Sequence, residues 1–143
     1  MRVLLDEDVP VPLVELLRHI LDGHQVDHVY DLHWGGKTDR DLYKDARARG
    51  YEVVLTNNLK QLQDPDECAA IRRSGVHHVS YEIDNGLQGL ALASGAICAA
   101  MRRVLEELAG RPKQHLVRIA GLSGSKSRFT ISDPSTDPPS PYW

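Results

Sequence analysis

Val53, Val54 and Leu55, closed by Thr56, form an apolar run without polar alternation, and this run limits the possible folds more than any other stretch. Such a strand offers neither face to water, so it belongs inside a sheet covered on both sides. Covered sheets are built from parallel strands, whose crossovers need a dozen or more residues and are usually helical. The rest of the chain supplies that alternation. Arg2–Leu5 reads as a second buried strand, and Pro10 and Pro12 open a helix carrying Leu13, Leu16, Leu17, Ile20 and Leu21 at helical spacing up to Gly23. Gln25–Tyr30 alternates, with Val26, His28 and Tyr30 on one face. Thr38 is placed to cap a helix running to about Arg49, its hydroxyl accepting from the Asp41 amide. A short helix from Asp64 or Pro65 to Arg73, a strand Val76–Tyr81 and a long helix from about Gly86 to Leu108 follow. His115–Ile119 and Ser127–Ile131 read as a last strand pair joined through residues 121–125.

This order predicts an α/β fold: a three-layer α/β/α sandwich on a mainly parallel sheet, with right-handed crossovers. Residues 1–132 form the domain, and the Pro-rich residues 133–143 are expected to remain a disordered tail. At 143 residues the chain can bury a core without a metal or disulfide staple. Cys68 and Cys98 are read as two small buried thiols. No apolar run approaches a membrane span, and the acids after Leu5 come too early for a signal-peptide core, so a cytoplasmic protein is expected.

Function in such sheets gathers beyond the carboxyl ends of the strands. Those positions hold Asp6-Glu7-Asp8, Asp31, Thr56-Asn57-Asn58 and Tyr81-Glu82, while Asp39 and Asp41 open the helix after the second strand. Carboxylates crowded after an apolar strand repel one another, and a divalent cation is the usual compensation. Asp6 is the candidate direct ligand, joined by Asp39, for Mg²⁺ or Mn²⁺ acting on a phosphodiester. The other reading of Asp6 is a carboxylate bonded to helix-start amides. Charge is uneven: residues 1–67 carry 8 Lys/Arg against 14 Asp/Glu, a balance of −6, and residues 68–132 carry 9 against 4, a balance of +5. The first portion suits a hard cation and the second suits phosphate.

The opening Val-Leu-Leu-Asp-Glu-Asp-Val-Pro, then Gly23-His24-Gln25-Val26, His28-Val29-Tyr30-Asp31-Leu32, Thr38-Asp39 and Val53-Val54-Leu55-Thr56, resembles the PIN-like nuclease superfamily over about residues 1–82. The likeness is strongest to its small stand-alone branch related to VapC-type toxins. The resemblance implies a PIN-like sandwich and a Mg²⁺- or Mn²⁺-dependent ribonuclease. It also implies the toxin of a toxin–antitoxin pair, with a small cognate antitoxin as partner, RNA as substrate and self-association, as a dimer. Carried over by position, the family acids match Asp6 and Asp39. Asn58 stands where a third acid is expected in the loop after Thr56; an amide oxygen can ligate or accept but brings no charge. Asp64 is a candidate replacement, Asp8 and Thr56 are possible additional site residues, and helix-start charge is the other reading of Asp64.

Lys126 and Arg128 in a Gly/Ser-rich loop are candidate phosphate contacts, with Arg72-Arg73, Arg102-Arg103, Lys113 and Arg118 as further cations. Trp34 is a candidate base-stacking residue, or else a loop tryptophan folded over the core. His24 and His28, four apart on a strand, lie too far apart for zinc. Two other functions fit part of the pattern. Without an acid at position 58 the fold can serve as a binding-only PIN-like protein, for a partner or RNA. Asp6-Glu7-Asp8 with Leu55-Thr56 also resembles the first motifs of haloacid-dehalogenase-type phosphatases, but that reading leaves Thr38-Asp39 unexplained.

Overall fold

A computed structural model describes residues 1–123 and 136. Its elements are β1 (Arg2–Leu5), α1 (Leu13–Ile20), β2 (Gln25–His28), α2 (Asp39–Ala48), β3 (Val53–Thr56), α3 (Pro65–Ser74), β4 (His77–Tyr81), α4 (Gly86–Ala109) and β5 (Leu116–Ile119). A 3-10 turn, Leu59–Leu62, lies between β3 and α3. All four strand pairings are parallel, in the order β2-β1-β3-β4-β5. Leu5 stands opposite His28 on one side and Leu55 on the other.

Alternation along the strands divides the core in two. Val3, Leu5, Val53, Leu55, Val79 and Tyr81 face the layer of α1 and α4, packing on Leu17, Ile97, Met101 and Leu105. Leu4 and Val54 face the other way, onto Leu42, Tyr43 and Ala46 of α2 and Ile71 of α3. The result is the expected α/β/α sandwich. Burying leucines such as Leu4 and Leu5 completely contributes roughly 1.5–3 kcal/mol each. His77 and His78 point to opposite faces: His77 Nδ1 accepts from the His115 amide at 3.0 Å, and His78 Nδ1 meets the Tyr43 hydroxyl at 2.6 Å. Burial holds the His78 ring down at about 4, so it is neutral.

Helix ends follow local chemistry. Thr38 Oγ1 accepts from the Asp41 amide at 3.3 Å, as its spacing predicts. Asp64 accepts from the amides of Asp66 and Glu67 and so caps α3, whose end turns through Gly75 at φ 69°. Three expectations need correction, on the start of α1, the end of β2 and the burial of the cysteines. α1 begins at Leu13, because Pro10–Pro12 form turns that precede it. β2 ends at His28, and Tyr30 is 52% exposed in the turn beyond. β5 pairs in parallel with β4 as a crossover strand after α4, and the proposed partner Ser127–Ile131 lies outside the described residues. Cys68 and Cys98 are free thiols, but half-buried rather than buried. Among the described residues no helix is long and apolar enough to cross a membrane. The tail 133–143 lies, Thr136 apart, outside the described residues.

Candidate active site

The strand order reverses direction between β1 and β3, and the carboxyl ends of these two strands open a cleft of about 1140 Å³. Asp6 follows β1 directly. Its amide donates to Leu55 O at 3.0 Å, extending the β1–β3 ladder by one residue and fixing the carboxylate at the cleft floor, 7% exposed. Asp6 Oδ1 accepts from the Glu7 amide at 2.8 Å. Glu7 itself turns outward, where Oε2 accepts from the Gly36 amide at 2.9 Å and ties down the loop before α2.

Asp8 turns back toward the sheet. Its Oδ2 accepts from Thr56 Oγ1 at 3.0 Å and its Oδ1 from the Asn57 amide at 3.1 Å, while Tyr81 donates to its backbone oxygen at 3.3 Å. Asp8 precedes a helix opened near Pro10 and could have capped it; α1 has no side-chain cap, and Asp8 faces the cleft. Asp39 enters from the start of α2, its Oδ1 accepting from Gln61 Nε2 at 2.7 Å. Gln61 is fully buried in the 3-10 turn, and its Oε1 has no hydrogen-bond partner. Asn58 lines the cleft, its amide donating to Thr56 Oγ1 at 3.0 Å.

Electrostatics mark the same residues. Burial, followed by the neighbouring Asp6 charge, pushes Asp8 up to about 6 despite its amide and hydroxyl donors. Burial and the nearby Glu67 raise Asp39 to about 6. Asp6 is also raised, chiefly by burial, with Asp39 and Glu7 adding to it. Carboxylates that resist ionising together are an oxygen-only donor set suited to a hard divalent cation. Among the described residues no three His, Cys, Asp or Glu side chains form a ready-made cage. Such a cation would therefore be held by one or two carboxylates, with water and substrate oxygens completing its shell.

Asp6, Asp8, Asp39, Thr56 and Asn58 are thus brought together, and Asp64 is not: it caps α3 away from the cleft lining. Trp34 packs on the α2–α3 core, with Lys37 and Arg49 over its ring at 4.9 and 4.8 Å. Lys126 and Arg128 lie outside the described residues. Arg118 is engaged by Glu82 on the cleft rim. Sequence reasoning missed Gln61, Glu67, Lys37, Asp84 and Asn85 at this site. Glu67 reaches it because α3 packs beside α2, which no local pattern announces; the spacing of Leu59 and Leu62 around Gln61 was a usable sign of a helical turn.

No match was found among curated proteins or solved structures. The sequence does match the family model described as a PIN-like domain, over residues 1–82, the segment that carries β1 through β4 and every carboxylate on the cleft floor. A parallel sandwich with its acids at the β1–β3 reversal agrees with that match, and the chain belongs to the PIN-like domain family, of nuclease type.

Proposed function

We propose that the cleft is the active centre of a Mg²⁺- or Mn²⁺-dependent endoribonuclease, acting as the toxin of a toxin–antitoxin pair. The observation that supports it is the convergence of Asp6, Asp8 and Asp39, each raised from its ordinary value chiefly by burial, at the strand-order reversal. Asp6 and Asp39 would hold the cation, which when bound supplies hydroxide at neutral pH and neutralises charge building on a phosphodiester. The remaining groups position these two. Gln61 fixes the orientation of Asp39, and Thr56 and Asn57 orient Asp8 so that its charge adds to the field between them. Lys60 on the rim, exposed, is available to a phosphate oxygen. The VapC-type relation, the small antitoxin partner and a dimeric state extend this reading from the resemblance in β1 to β4.

Asn58 favours a second reading. With an amide where a third acid is expected, and no three-ligand cage among the described residues, the fold can bind RNA or a partner without cutting. The test is cleavage of a mixed RNA by purified, antitoxin-free protein with Mn²⁺, beside Asp6→Asn prepared identically. Cleavage lost in the variant is the expected result. Absence of cleavage in both transfers the cleft to the binding-only reading.

A further inference from the structure

Behind the cleft, α2 and α3 enclose a second groove of about 480 Å³, lined by Arg40, Lys44, Arg47 and Arg73 with Asp41 as its acid. We propose that this groove binds the phosphodiester backbone of single-stranded RNA and guides the strand into the cleft. The proposal rests on reading the cleft as an RNA site, and it names the surface that would hold the substrate.

Three observations carry it. First, the four cations are exposed and, among the described residues, none takes part in an ion pair. Lys44 feels the Asp45 charge, but that carboxylate is already held by Lys37. Asp41 accepts from the Thr38 hydroxyl at 2.9 Å at the start of α2. On a chain of formal net charge −3, four cations against the single acid Asp41 thus leave the groove lining with an excess of positive charge.

Second, Arg40, Lys44 and Arg47 recur at i, i+4 and i+7, which puts them on one side of α2 over about 10 Å at 1.5 Å per residue. Arg73 faces them from α3. A row of cations suits a repeating phosphate chain better than a single compact anion.

Third, the groove and the cleft share both walls. α2 gives Asp39 to the cleft and the adjacent Arg40 to the groove; α3 gives Glu67 to one and Arg73 to the other. A strand lying along the groove runs toward the first turns of α2 and α3, which open onto the cleft carboxylates. Phosphate contacts of this kind supply affinity and register rather than sequence reading.

The test is fluorescence anisotropy of a labelled single-stranded RNA 20-mer with the full chain in EDTA, so that binding is read without cutting. The variant Lys44→Glu/Arg47→Glu/Arg73→Glu is compared with a charge-matched control on the opposite layer and its following loop, Arg103→Glu/Arg111→Glu/Lys113→Glu. All these side chains are exposed, and circular dichroism verifies that both proteins fold. The groove variant is expected to bind at least tenfold more weakly, with a log–log salt slope shallower by about 0.7 for each phosphate that the groove no longer neutralises. The control should change less than twofold. Equal weakening in both variants, no weakening in either, or no RNA binding by the unchanged chain overturns the proposal. Inorganic phosphate is expected to compete no better than chloride at matched ionic strength; competition at micromolar phosphate assigns the groove to a small anion and overturns it. The two readings separate cleanly. Groove-dependent binding by a protein that cuts nothing upholds the groove and refutes the nuclease, and Mn²⁺-dependent cleavage unaffected by the groove variant does the reverse.

Discussion

Thr56 Oγ1 donates to Asp8 Oδ2 at 3.0 Å, fastening the end of β3 to the loop after β1 across 48 residues of sequence. The same oxygen accepts from the Asn58 amide, so one hydroxyl sets the position of both an acid and its neighbour in the cleft. Thr56→Val keeps the shape and removes both bonds. It should destabilise the fold by roughly 1–3 kcal/mol, because a buried acceptor and an amide lose partners, and raise the Asp8 pKa further. Urea unfolding measures the first and NMR titration of the carboxyls the second, and Thr56→Ser should restore both.

Asp39, raised to about 6, gives a pH signature. Between about pH 4 and 6 the folded chain holds this proton more tightly than the unfolded chain, so stability falls as pH rises through that window. Asp39→Asn retains an oxygen for Gln61 without the charge. It should melt higher than the unchanged protein at pH 7.5, and the advantage should shrink through pH 4 and vanish by about pH 3, below both pKa values, where the acid is neutral in both states. His78, held down at about 4, contributes the opposite slope, but it does so in both proteins and cancels in the difference.

Asn58→Asp supplies the missing carboxylate. Calorimetry is expected to show Mn²⁺ binding about tenfold tighter, a change of about 1.4 kcal/mol, with a lower melting temperature in EDTA because another charge joins the cluster. Unchanged affinity would mean that position 58 does not contribute to the cation site.

Gly89 fixes the far rim. A Cβ there would lie 1.9 Å from Asp84 O, a backbone atom that cannot swing away. Gly89→Ala should cost roughly 1–3 kcal/mol and displace the Asp84–Asn85 edge of the cleft. Chemical denaturation checks the cost, and amide shifts at residues 82–85 check the displacement.

What could be read from the sequence was whatever neighbours in sequence decide. The Thr38 cap, the arrest of α3 at Gly75 and the buried run Val53–Leu55 are each set by a few adjacent residues, and all are found in the structure. Asp6 after β1 and Asp39 at the start of α2 were likewise readable from the alternation of strands and helices, which brings both to the carboxyl edge of the sheet. Asp8 was harder, because its direction depends on a turn after Leu5 and on acceptance from β3. Glu67 was invisible, and Gln61 was signalled only by the spacing of Leu59 and Leu62, since both join the site through packing of α3 and the 3-10 turn beside α2. The parallel pairing of β5 with β4 had no local sign, because the neighbour of that strand is set by the α4 crossover that precedes it.

The reversal of strand order between β1 and β3 has a consequence in time. A nascent chain ending before Val53 already contains Asp6, Asp8 and Asp39, yet it lacks the strand that seats Asp6 and the threonine that turns Asp8 inward. Closing a loop of that length is entropically costly and comes late in folding. The buried arrangement in which these carboxylates crowd one another is therefore assembled only once the middle of the sheet has been synthesised.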